Sequence, residues 1–319
     1  MVVFGQLVVG PPGAGKTTYC TGMQMMLRAL KRPHLVVNLD PANDDLPYEC
    51  SIDIRELVNV EDVMVECQLG PNGGLLYAME YIEVNLDWLI TRIKKLVSDI
   101  AVPYVLIDCP GQVELYTHHD IMTNITQQLT KALDFRFVAV HLIDSTLCVD
   151  VHRYISAVLL SLAAMMQMEL PHINVLSKID MVMDHTDDLA FRLDYYLGVQ
   201  DLSHLMRTLN TTKHPMSLKF AEFNRLLADL IEDYGLVNFE PLDIQDKECA
   251  LRVLGRCDTA NGHVMHAEKI EDPSDPVSGL RLFHTALSDT GEPIEDYIER
   301  YEERLQAREG DEGEDTPGL

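Results

Sequence analysis

The chain has 319 residues, with 51 acidic against 25 basic side chains and a formal charge of −26. A field of that sign excludes duplex nucleic acid or an anionic membrane surface as a partner gripped by a basic patch. Hydrophobic residues make up 47% of the chain, enough for a full core, and the length suits about two domains or one α/β domain with insertions. The seven cysteines are scattered, odd in number and without a C-x-x-C pair, so neither a disulfide framework nor a zinc site is expected and a reducing compartment is. The longest apolar run, near Ala157 to Met166, is too short to span a bilayer. The first strand begins at the N-terminus, leaving no room for a signal peptide, so a soluble intracellular protein is expected.

In chain order, a short apolar strand ending in Leu7-Val8-Val9 runs into Gly10-Pro11-Pro12-Gly13-Ala14-Gly15-Lys16-Thr17, which fits G-x-x-x-x-G-K-[ST]. Glycines let the loop curl so that successive amide N–H groups point inward at phosphate oxygens. Lys16 adds a point charge for the outer phosphates, and the Thr17 hydroxyl is placed to hold Mg²⁺. A helical pattern from Thr18 to Leu30 presents its positive dipole end to the same anion. Gly13, Ala14, Gly15, Lys16, Thr17 and Thr18 are therefore the expected phosphate-binding residues, and the net negative charge means the site must win its anion locally.

His34 to Leu39 reads as a second buried strand ending at Asp40-Pro41-Ala42. Asp40 suits a turn cap before proline, and its place at the strand's carboxyl end also suits a role facing water or metal. Asn43 to Leu69 holds short helices around Ile54 and from Val60 to Glu66. Gly70-Pro71-Asn72-Gly73-Gly74 has the residue order of a β-turn, and a long helical pattern follows from Leu75 to about Val97. Pro103 to Asp108 is a third strand, expected parallel to the second because a helix separates them.

Asp108 closes that strand where such sheets bind ligands, so its carboxylate can reach Mg²⁺ directly or through water. Gly111 can bring an amide to the γ-phosphate, and Gln112 can orient a water for in-line attack. A helix from about His119 to Leu133, a strand from Phe137 to Ile143, a helix from Val151 to Met168 and a strand from Ile173 to Leu176 lead to Ser177-Lys178-Ile179-Asp180. That tetrapeptide matches [NST]-K-x-D. The Asp180 carboxylate can accept from N1–H and the exocyclic amine of guanine, whereas adenine would leave it buried and unpaired, a mismatch that rejects by ~10⁴-fold. The Lys178 stem can pack along the base.

Helical, polar sequence from about 184 to 235 reads as an insertion, followed by a strand (Val237 to Leu242) and a helix (Asp246 to Ala260). The domain expected is therefore 1–261, an α/β P-loop NTPase fold of three layers with a mostly parallel sheet, and 262–319 is an acidic tail. From Glu302 to Asp315 there are seven acidic and two basic residues, which predicts a largely irregular or disordered segment with at most a short surface helix over Asp296 to Arg308.

These motifs together resemble the GPN-loop GTPase family, whose Gly-Pro-Asn insertion matches Gly70-Pro71-Asn72 within about 43–75. The resemblance covers about Val3 to Asn261. It is closest to one eukaryotic branch, through Asn38-Leu39-Asp40-Pro41-Ala42-Asn43, Leu46-Pro47-Tyr48-Glu49-Cys50, Asn85-Leu86-Asp87-Trp88-Leu89 and Ile244-Gln245-Asp246-Lys247-Glu248. It implies a Mg²⁺-dependent enzyme converting GTP to GDP and phosphate, with Asp40, Asn72, Asp108 and Gln112 as catalytic residues. It further implies a homodimer, or a heterodimer with paralogous GPN proteins, in which Asn72 reaches the partner's nucleotide. The expected role is assembly and nuclear import of RNA polymerases II and III, in the cytoplasm with shuttling to the nucleus, with no direct nucleic-acid or membrane contact. One departure is that Glu240-Pro241-Leu242 stands where the family's small Ser-Ala loop meets the base. Two rivals remain open on residues alone: a P-loop nucleotide kinase, and a scaffold or chaperone with a structural nucleotide.

Overall fold

The structure, a computed structural model, describes residues 2–100, 102–183, 189–199, 202, 204–205, 221–263 and 294–314. Its strands are β1 (Val3–Val9), β2 (His34–Asn38), β3 (Ile52–Asp53), β4 (Tyr104–Asp108), β5 (Phe135–Asp144), β6 (His172–Ser177) and β7 (Phe239–Leu242). They form one seven-stranded sheet in the order β3-β2-β4-β1-β5-β6-β7, and every pairing is parallel. The expected parallel relation of the strands ending at Asn38 and Asp108 is present, Asn38 lying opposite Asp108.

All seven residues of β1 are buried, because the sheet is covered on both faces. The pleat sends Phe4 and Val8 to one core, and Val3, Leu7 and Val9 to the other. The first core is roofed by α1 (Lys16–Ala29), α7 (Val151–Met168) and a helix over Lys247–Asn261. The second is roofed by α2 (Val60–Cys67), α3 (Pro71–Val84), α4 (Leu86–Val97), α5 (Glu114–Thr117) and α6 (Ile121–Leu133). The result is the expected three-layer α/β arrangement, with β1 near the middle and its C-terminal end opening onto the loop of glycines.

Three local expectations are corrected. Gly70-Pro71-Asn72 is the start of a helix and no β-turn: Gly70 is extended (φ −73°, ψ 171°) and Pro71 stands in the first turn, where its missing N–H is no loss. The long helix expected from Leu75 to Val97 is two, α3 and α4, divided at Asn85 (φ −104°, ψ 26°). β3 and α5 were not expected; at two and four residues they are too short for a periodicity to show.

α8 (Ile179–Met183) ends just before the expected insertion over 184–235, whose described helices are α9 (Leu193–Gly198) and α10 (Ala221–Tyr234). Segments 184–188 and 206–220 lie outside the described residues. Next comes α11 (Lys247–Asn261). In the expected acidic tail, 264–293 and 315–319 lie outside the described residues, and α12 (Ile294–Glu314) is a helix. The expectation of a short surface helix is corrected, because Tyr297, Ile298 and Tyr301 are at most 1% exposed and join the first core. Composition concealed this: the apolar residues are few, but they share one helical face. Among the described residues no helix is long and apolar enough to cross a membrane.

Candidate nucleotide-binding site

The carboxyl ends of β1, β4, β5 and β6 lie side by side and deliver Gly10, Asp108, Asp144 and Ser177 to one edge. Gly10 has φ +145°, and a Cβ there would sit 2.4 Å from the Leu142 carbonyl oxygen, so only glycine lets the loop leave the sheet. The Gly10 N–H donates to the Tyr116 hydroxyl at 3.2 Å, tying the loop to α5. Lys16 Nζ folds over the loop and donates to the carbonyls of Gly10 (3.0 Å) and Pro11 (3.2 Å). Burial holds the Lys16 ammonium below its usual range, while the charges of Asp108 and Asp40 oppose that shift. The residues Gly13, Ala14, Gly15, Thr17 and Thr18 surround the same turn and first turn of α1.

Gly111 approaches this loop: a Cβ on it would meet Lys16 Nζ at 3.1 Å and Pro12 Cα at 3.4 Å. Asp108 is buried, and its Oδ2 accepts from the Thr17 hydroxyl at 3.0 Å. Oδ2 also accepts from the Tyr48 hydroxyl at 3.1 Å. Burial raises the Asp108 carboxyl to about 6, against the hydrogen bonds from Thr17 and Tyr48 and the charge of Lys16. Its second oxygen, Oδ1, is buried with no hydrogen-bond partner. A desolvated carboxylate with one unpaired oxygen, beside a threonine hydroxyl, suits a hard divalent cation that keeps most of its water and takes few protein ligands. Thr17 and Asp108 thus fit Mg²⁺. Among the described residues there is no cluster of three or more His, Cys, Asp or Glu able to hold a metal.

Asp40 is half-buried, and its Oδ1 accepts the Ala42 N–H at 2.9 Å, the turn-cap reading. Burial raises its carboxyl, and the Lys16 charge acts the other way, so the group also faces the lysine. Gln112 and Asn72 come together: both line a cavity of about 270 Å³ with Pro41, Ala42 and Pro71. The helical start at Pro71 is what puts the exposed Asn72 on that rim.

At the other end of the loop, a cavity of about 150 Å³ is lined by Gly15, Thr18, Lys178, Asp180 and the segment Leu242 to Gln245. Lys178, at φ 58°, runs its stem past Gly15 and donates from Nζ to the Gly13 carbonyl and to Asp144 Oδ2, each at 2.7 Å. The Asp144 carboxyl lies below its usual range, with the Lys178 and Thr146 hydrogen bonds outweighing burial. The Ser177 hydroxyl is turned to the backbone, 2.9 Å from the Ala14 carbonyl and 3.0 Å from that of Ile143. It ties the phosphate loop to β6 and does not point at a ligand.

Sequence reasoning missed Tyr48, Asp144 and the wall from Asp243 to Gln245. Tyr48 lies in Leu46-Pro47-Tyr48-Glu49-Cys50, a stretch that marked the resemblance but suggested no chemistry. The wall replaces the absent Ser-Ala loop with the residues immediately after Glu240-Pro241-Leu242.

Sheet order, loop and paired Thr17 and Asp108 define the P-loop NTPase fold. A family described as conserved hypothetical ATP binding proteins matches residues 8–263. GPN-loop GTPase QQT1 of Arabidopsis thaliana is 52% identical over 263 residues, covering 82% of this chain and 86% of that protein. GPN-loop GTPase 2 of Danio rerio is 53% identical over 260 residues, covering 82% and 81%. GPN-loop GTPase 2 of Schizosaccharomyces pombe is 41% identical over 300 residues, covering 94% and 93%. A crystal structure of a GTPase in apo form from Pyrococcus abyssi has the same fold, with a TM-score of 0.63 at 23% identity over 81% of this chain and 97% of that one. The chain belongs to the GPN-loop GTPase family.

Proposed function

We propose that this protein is a Mg²⁺-dependent GTPase that converts GTP to GDP and phosphate and uses the change to alter the shape of a dimer. The observation that carries the guanine preference is the cavity shared by Gly15, Thr18, Lys178 and Asp180, one loop away from the phosphate cradle. The half-buried Asp180 carboxylate there can accept from the N1–H and exocyclic amine of guanine, donors that adenine does not offer in that arrangement. The names of the relatives agree with this reading, while the description of the matching family speaks of ATP.

On this reading the loop amides and Lys16 bind the β- and γ-phosphates, Lys16 leaving the two carbonyls that it now caps. Thr17 and Asp108 would hold Mg²⁺, which when bound neutralises charge on the phosphate oxygens. The Gly111 amide meets the γ-phosphate. Gln112 and Asn72, on one cavity, orient the attacking water, and Asp40 orders the water network beside Lys16. In a dimer the exposed Asn72 serves the site across the interface. The exposed Tyr77, Tyr81 and Val84 on the same helix supply apolar area for such a contact.

The finer role follows from the resemblance: pairing with a second copy or a paralogous GPN protein, and assembly and nuclear import of RNA polymerases II and III from the cytoplasm. The acidic charge favours protein partners over nucleic acid. Calorimetry with GTP and ATP tests the base preference. GTP binding at least about a hundredfold tighter is expected, and equal uptake of ATP would end the reading. Release of phosphate from GTP distinguishes hydrolysis from a scaffold with a structural nucleotide, and dependence on an added acceptor would point to a kinase.

A further inference from the structure

The wall of the base cavity is a loop built from two aspartates, and each divides its oxygens in the same way. Asp243 Oδ1 accepts the Gln245 N–H at 2.8 Å, which shapes the turn lining the cavity. Its Oδ2 accepts the Tyr301 hydroxyl of α12 at 3.2 Å. Asp246 Oδ1 caps α11 by accepting the N–H groups of Glu248 (2.8 Å) and Cys249 (3.0 Å). Its Oδ2 is in an ion pair, without a hydrogen bond, with Arg304 Nε of α12 at 3.4 Å. Both aspartates are buried, at 3% exposure each, as is Tyr301 at 0%. Arg304 and Arg300 also pair with Glu248, and the Tyr297 hydroxyl lies 2.7 Å from Cys249 Sγ. Burial first, then the charge of Asp243, push the Tyr301 phenol up, so the hydroxyl keeps its proton and donates it to Asp243.

Buried carboxylates of this kind hold their geometry only while their donors are in place. Within the cavity Ile244 has no slack, because a Cβ on Gly22 of α1 would come within 2.3 Å of its Cγ1. A displaced loop therefore cannot keep the cavity's shape by sliding toward α1. We infer that α12 is a strap for the base site: Tyr301 and Arg304 are positioning residues that fix the wall from Asp243 to Gln245 and so set how long a guanine nucleotide stays bound. This rests on the guanine reading above and extends it to a segment whose composition suggests a disordered tail.

The test uses the full chain, with Tyr301→Phe, which removes one hydroxyl, Arg304→Ala, and Arg304→Lys as the conservative control. Release of a fluorescent GDP is followed by stopped flow, with turnover measured beside it. We expect GDP to leave about fivefold faster from Tyr301→Phe and Arg304→Ala. The KM for GTP rises by a similar factor, turnover at saturating GTP stays within about twofold, and Arg304→Lys recovers part of the loss. GDP release at the wild-type rate from variants that retain their circular dichroism would overturn the strap. So would a fall in turnover without a rise in KM. Should Tyr301→Phe fail to fold, the two Arg304 variants decide by the same criteria. Failure of the guanine reading is separate and shows in the wild type, as ADP bound as tightly as GDP.

Discussion

The Tyr48 hydroxyl donates to Asp108 Oδ2 at 3.1 Å from a loop 60 residues earlier in the chain, on the same oxygen that receives Thr17. Two donors share that oxygen, while Oδ1 is buried with no hydrogen-bond partner. Tyr48 therefore orients the carboxylate that the proposed function assigns to Mg²⁺. Loss of such an outer partner lowers metal affinity about tenfold or more. Tyr48→Phe should raise the Mg²⁺ concentration for half-maximal GTP hydrolysis by about tenfold, read from a magnesium titration. An unchanged midpoint would make Tyr48 a packing residue only.

Asn72 shares a cavity with Gln112 but is exposed, on a helix whose outer face is apolar. If it donates to the attacking water or the transition state, its removal should cost ~3 kcal/mol, about a hundredfold in turnover. Asn72→Ala should keep its affinity for GTP and lose that turnover. On the proposed dimer, in which a second copy's Asn72 completes the site, steady-state hydrolysis should rise in specific activity with enzyme concentration in the wild type. Near-normal turnover by the variant would return Asn72 to a helix-start residue.

Arg32 and Asp258 form a buried, two-pronged ion pair, at 2.7 and 2.9 Å, that joins the turn after α1 to the end of α11. The Arg32 guanidinium also lies 3.9 Å above the Tyr104 ring. Removing one partner leaves an uncompensated buried charge, which typically costs about 3–5 kcal/mol. Asp258→Ala should lower unfolding stability by about that much in urea, with GTP discrimination kept in the folded fraction.

His141 and His172 are neutral in the core, burial lowering them to about 4 and about 3, the second also through the first. Their unfolded values lie near 6.5. Between those limits these two groups bind more protons in the unfolded chain than in the folded one, so the pair lowers stability as pH drops from about 6.5 toward 4, while the raised Asp108 and Asp40 carboxyls act the other way. The pair's own share of the slope approaches about 2.7 kcal/mol per pH unit for two protons. Denaturant midpoints across that range should show the fall, and the double variant His141→Gln, His172→Gln should flatten it.

Much of the site was readable because its chemistry is local. Gly10 to Thr17 and Ser177 to Asp180 are contiguous, and a loop that wraps an anion or a turn that presents a carboxylate needs only consecutive residues. Six of the seven strands were equally plain, since burial on both faces writes unbroken apolar runs, and only the two-residue β3 was not. Where two outcomes share one local pattern, reading along the chain failed. Gly-Pro-Asn suits a β-turn and a helix start alike, and the burial of Leu75, Ala78 and Met79 in the second core, with Gly74 close against α2, chose the helix.

The sequence by itself thus determined the glycine-rich loop after β1, the Ser177 to Asp180 turn after β6 and the alternation of strand and helix. Only the tertiary structure decided that Tyr48 holds Asp108, that Lys178 answers to Asp144, and that α12 closes on the loop after β7. The reason is distance along the chain. Propensity and periodicity act over a few residues, whereas these hydrogen bonds join groups 34 to 60 residues apart. Their pairing exists only once the sheet has set its strand order.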